Sequence, residues 1–118
     1  MNKNNNFEEL DNDLLDSYAQ SLGNNIIEKM FTLYCQQSAI YLNDIENSIA
    51  SNSEQLWMEH CHKMKGAAGS VALKNVYARL KSMEKTTANL DDKMSQLDEL
   101  KVHNKQAVAE FECWLQQH

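Results

Sequence analysis

The sequence predicts an all-α fold, a four-helix bundle with a short N-terminal lid helix, and three observations carry that reading. The 118 residues contain no proline and only three glycines, so almost no position is barred from a helix interior. Leucine, alanine, glutamate, lysine, glutamine and methionine are plentiful, and these side chains give up little freedom in a helix. Apolar residues recur at threes and fours, the period of a helix face. At this length one domain with one core is expected.

Residues 1–10 read as a polar, disordered arm, because the asparagine-rich start offers little to bury. The domain is expected over 11–118. Asp11 is placed to cap a short helix presenting Leu14, Leu15, Tyr18 and Leu22, closed by Gly23 in a left-handed backbone. From Asn24 to Ala50, Ile27, Met30, Phe31, Tyr34, Tyr41, Leu42, Ile45 and Ile49 mark one face of a long helix. Ser51 with Glu54 three residues on reads as a capping box that starts a third helix, running to about Ala72. Leu73, Val76, Tyr77, Leu80 and Met83 form the stripe of a fourth helix. Leu97, Leu100, Ala107, Val108, Phe111, Trp114 and Leu115 form that of a fifth, with polar Thr86 to Asp92 between the two. Four long helices and one short one are therefore expected.

Composition narrows the function. A formal net charge of −6 offers no basic field for a phosphate backbone, so nucleic acid is not expected as a direct partner. No apolar run approaches the ~18 residues of a membrane span, and the arm lacks the apolar centre of a signal peptide. Cys35, Cys61 and Cys113 are odd in number and widely spaced. They read as reduced, packed thiols, which suits the cytoplasm. The initial methionine suggests a free-standing product, although an excised domain given a start residue would read the same.

The informative segment is His60-Cys61-His62-Lys63-Met64-Lys65-Gly66-Ala67-Ala68-Gly69-Ser70. At about 100° per residue, Trp57, Cys61, Met64, Ala68 and Val71 share a packing sector flanked by Leu56, His60 and Ala67. Gln55, Glu59, His62, Lys65, Gly66 and Gly69 fall opposite, toward solvent. His60 lies on the packing side, so the two histidines cannot converge on one metal ion. A glycine in a helix interior costs roughly 1 kcal/mol against alanine, and two on the solvent face imply a bare patch over which another protein's active site can close. The unperturbed imidazole pKa of about 6.5 leaves one ring nitrogen free as a nucleophile, and the Lys65 ammonium can compensate the charge of a phosphoryl group placed on it.

The run from His62 to Ser70 resembles the His-x-x-Lys-Gly signature of histidine phosphotransfer (HPt) domains, in particular the form found in Arc-type (anoxic redox control) sensor kinases. The likeness covers nearly the whole chain, lid helix included. It implies phosphorylation at His62, phosphoryl support by Lys65 and clearance for the receiver at Gly66, with Gly69 matching the Arc-type form; Gln55 and Glu59, on the same solvent face as Gly66 and Gly69, are expected to join the docking surface. The expected partners are the receiver domain of a sensor histidine kinase and a response regulator. Mg2+ is expected from the receiver, with no cofactor or metal of the chain's own, no autonomous turnover, and a monomeric state. Relatives often carry glycine shortly after this helix where this chain reads Val71-Ala72-Leu73. A helical adaptor that binds a receiver or kinase without being phosphorylated is the alternative, and a metal or haem bundle is a third reading.

Overall fold

The computed structural model describes residues 7–118. Five helices follow one another: α1 (Asn12–Ser21), α2 (Asn24–Ala50), α3 (Glu54–Ser70), α4 (Lys74–Met83) and α5 (Leu90–Gln117), with no strand among the described residues. Helices α2 to α5 form the bundle, α3 packing on α2 and α4, and α5 closing the ring against α4 and α2. Helix α1 lies across one end, where Asp11 caps it by accepting from the Leu14 amide and the Tyr18 hydroxyl donates to the Ser70 carbonyl at 3.0 Å. Gly23 ends the lid at φ +84°, the left-handed conformation for which glycine has no steric penalty.

The apolar stripes meet in one core. Phe31 and Phe111 stack with ring centroids 4.5 Å apart, joining antiparallel α2 and α5. Trp57 is buried on α3, and its indole N–H donates to the Met83 carbonyl at the end of α4, 2.7 Å away. Full burial of side chains of this size stabilises by about 1.5–3 kcal/mol each, which is why the stripes, more than helix propensity, set the arrangement. Tyr34 and Asn104 sit inside the bundle as a hydrogen-bonded pair, hydroxyl to amide oxygen at 2.5 Å, so neither polar group is left unsatisfied.

Several expectations change. Of the expected arm, residues 1–6 lie outside the described residues, while Leu10 is fully buried and Asp11 donates its amide to the Ala72 carbonyl at 2.8 Å. Leu10 anchors the segment because an apolar side chain is available there to join the core. The third helix is capped by Ser53, whose hydroxyl accepts from the Leu56 amide at 3.1 Å, and not by Ser51. Ser51 is instead the C-cap of α2, its amide bonded to the Asn47 carbonyl. Asn52 takes φ +51°, and the Ser53 amide reaches back to the Ser48 carbonyl, closing α2 in a Schellman motif. The same motif ends α3 at Ser70, short of Ala72: Leu73 donates to Ala68, Ala72 to Gly69, and Ala72 adopts φ +65°. Ala72 thus occupies the left-handed position that a glycine would take more cheaply. Helix α4 has only ten residues, as short as α1, while α5 begins at Leu90, inside the expected polar connection, because Asn89 caps it. Leu22 and Leu56 are exposed. Of the cysteines, Cys61 is buried, Cys35 half-buried and Cys113 exposed, all three free; Cys113 falls beside the packed stripe of Phe111 and Trp114, not on it.

Candidate functional site

Helix α3 presents its two histidines differently. The His62 side chain is 66 % exposed, whereas His60 is largely covered, its Nδ1 3.8 Å from Asp44 on α2. Trp57, Cys61, Met64, Ala68 and Val71 are buried, as their shared sector requires. Burial pushes the Cys61 thiol up to about 12, so the sulfur next to His62 in sequence is held protonated and unreactive.

Glu84, absent from the sequence reading, organises the site. It follows α4, and its Oε1 lies 2.8 Å from Lys65 Nζ and 3.5 Å from His62 Nδ1. The hydrogen bond from Lys65 holds the Glu84 carboxyl below its ordinary range; burial opposes this, and the Lys65 charge and His62 reinforce it. The carboxylate therefore stays ionised and can only accept. Nδ1 is thus the ring nitrogen turned toward this carboxylate. Lys65 is not spread toward solvent as the helical wheel implied. Its side chain is only 16 % exposed, folded toward α4.

The remaining expected residues divide. Gln55 and Glu59 are exposed on the same helix and joined to each other, amide to carboxylate at 2.9 Å. Gly66 is open: a Cβ there would meet nothing within 4 Å. Gly69 does not share that clearing, because a Cβ there would lie 3.0 Å from Cδ2 of Tyr77; its bare flank is taken by the chain's own ring. An open hollow beside the imidazole is lined by Met58, Glu59, His62, Lys63 and Glu84. Met58, half exposed, gives it an apolar edge. No group of three or more His, Cys, Asp or Glu side chains is placed to hold a metal ion among the described residues, and no helix there is long and apolar enough to cross a membrane.

The site thus brings together an exposed imidazole, a carboxylate facing its Nδ1, a nearby ammonium and the bare flank at Gly66. A family model described as the Hpt domain matches residues 29–110. Among solved structures, the histidine-containing phosphotransfer domain of ArcB from Escherichia coli is similar, with a TM-score of 0.83 at 23% identity over 92% of this chain and 93% of that one. At that identity the likeness establishes the fold. Comparison with curated proteins found no match.

Proposed function

The chain belongs to the Hpt domain family, the histidine phosphotransfer modules of phosphorelays, and from that premise we propose that His62 Nε2 is the phosphoryl acceptor. The observation that carries the assignment is the exposed imidazole whose Nδ1 faces Glu84 while Lys65 holds the same carboxylate oxygen. In the step, the Nε2 lone pair attacks phosphorus and the bond to the receiver's aspartyl oxygen breaks, returning that aspartate as a carboxylate. The ring becomes cationic and is stabilised through Nδ1–H by Glu84. Lys65 stands close enough to exchange part of its pairing with Glu84 for a phosphoryl oxygen. Return transfer to a second receiver reverses each bond change.

Phosphoryl transfer depends on positioning and on neutralising charge. We assign the divalent ion of that chemistry, Mg2+, to the receiver's acidic pocket, and only the imidazole and the ammonium to this chain. On this reading the chain is a carrier without turnover of its own, acting as a monomer in the cytoplasm. The likeness of His62–Ser70 to Arc-type sequences, together with the shared fold, supports an Arc-type sensor kinase and response regulator as the partners. Gly66 gives the receiver its approach, with Gln55, Glu59 and Met58 at the rim.

Incubation with phosphorylated receiver domains tests this. Acid-labile, base-stable phosphate is expected on the protein, and none on His62→Gln. Equal labelling of His62→Gln would overturn the assignment. Receiver binding with no labelling of the parent would favour the adaptor reading instead.

A further inference from the structure

Two glycines follow His62 on α3, and the structure gives them different surroundings. Gly66 is open, whereas a Cβ at Gly69 would lie 3.0 Å from Cδ2 and 3.4 Å from Cε2 of Tyr77. The ring of Tyr77, near the start of α4, therefore packs against the bare flank of α3 at position 69, and a Cβ there would push it back by a few tenths of an ångström. Positions 65 and 69 are one helical turn apart and share a face, so a ring seated at Gly69 reaches the Lys65 side chain. Lys65 Nζ lies over that ring, 6.0 Å from its centroid, and 2.8 Å from Glu84 Oε1. An ammonium on a four-carbon stem has many rotamers to lose. Here an aromatic ring and a carboxylate confine it, and the side chain is only 16 % exposed.

Building on the assignment of His62 and Lys65 above, we infer that Tyr77 is a positioning residue for phosphoryl transfer: its ring, admitted by Gly69, holds the Lys65 ammonium beside Glu84 and His62. The ring face attracts the cation without neutralising it, so Lys65 keeps its full charge for the incoming phosphoryl group. The part that acts is the ring, not the hydroxyl. Gly69 serves the intramolecular contact, and a receiver does not need it bare.

Phosphoramidate, a small phosphoryl donor, separates this from receiver docking. The imidazole attacks phosphorus, and ammonia leaves with the electron pair of the P–N bond. Rates of phosphohistidine formation are to be compared for the parent, Tyr77→Phe, Tyr77→Leu, Gly69→Ala and the double variant Gly69→Ala/Tyr77→Leu, with His62→Gln as the blank. Tyr77→Phe should match the parent. Tyr77→Leu should be slower by about two- to five-fold, the range for an exposed cation–π contact. Gly69→Ala should be slowed alone but add nothing in the Tyr77→Leu background. Tyr77→Leu reacting at the parent rate, or Gly69→Ala slowing that variant further, would overturn the inference. Failure of the parent to label above the blank would instead remove the His62 assignment. An NMR measurement that needs no phosphorylation stands beside it: the Lys65 ε-methylene protons should carry a ring-current shift that persists in Tyr77→Phe and disappears in Tyr77→Leu. Its absence from the parent would overturn the positioning role.

Discussion

The Glu84 carboxylate accepts hydrogen bonds and cannot donate them, so the imidazole nitrogen 3.5 Å away and the ammonium 2.8 Å away depend on it in the same ionised state. Its folded-state pKa is lowered, first by the Lys65 hydrogen bond. A lowered carboxyl pKa contributes stability that is fully present above the unfolded value and is lost as pH falls through the folded value. Glu84→Gln keeps a side-chain oxygen but no charge. Its deficit in melting temperature against the parent should be constant near neutral pH and should shrink as pH falls through and below the ordinary carboxylate range, as thermal unfolding followed by circular dichroism would show. A deficit unchanged down to the acid end would mean that the charge contributes nothing. The same variant should slow His62 phosphorylation roughly ten-fold, the low end for losing a group that orients a reacting ligand. None of this was legible in the sequence. His62 and Lys65 could be paired because they share one helix, but Glu84 and Tyr77 come from α4, and a helical wheel reports only its own helix. Tyr77 matched the period of the α4 core stripe, yet its ring sits at the surface against α3.

Helix boundaries were legible where one strong local signal stood alone. The span of α2 agrees with its apolar period, and Asp11 caps α1 as expected. Between α2 and α3 two signals competed. The Ser51-to-Glu54 spacing fits a capping box, but the left-handed Asn52 lets Ser48 and Ile49 satisfy their carbonyls through Ser53 and Asn52. That places Ser53, not Ser51, at the first free amides of α3. Ser53→Ala should therefore cost about 1 kcal/mol in urea unfolding, while Ser51→Ala should stay within about 0.5 kcal/mol, as for ordinary surface changes. The reverse order would restore the capping box. Phosphorylation of His62 by phosphoramidate should be unaffected in both, because His62 lies more than two turns along α3 from its cap.

At the scale of the molecule, what the sequence left unread was the role of the segment before α1. Polar neighbours hid Leu10, since disorder is inferred from average composition whereas burial needs only one apolar side chain with a place to go. Leu10 is fully buried. Backbone contacts fix it from three directions: the Asp11 amide to Ala72, the Asn75 side chain to the Glu8 carbonyl at 3.0 Å, and the Glu9 amide to the Glu110 carboxylate at 3.0 Å. The segment thus ties the end of α3 to α4 and α5, at the end of the bundle that α1 covers. Leu10→Ala should cost about 2–5 kcal/mol, the range for truncating a buried leucine, depending on how far the cavity relaxes. A chain begun at residue 11 should lose at least as much. Both should still accept phosphoryl from phosphoramidate at close to the parent rate well below their melting temperatures, because His62 stands more than two helical turns from this end of α3. A melting temperature unchanged on truncation would place the domain boundary at Asp11 after all. A rate that fell in parallel with stability would show that the lid end and the imidazole are coupled through α3, so that the end-tie conditions the chemistry as well as the fold.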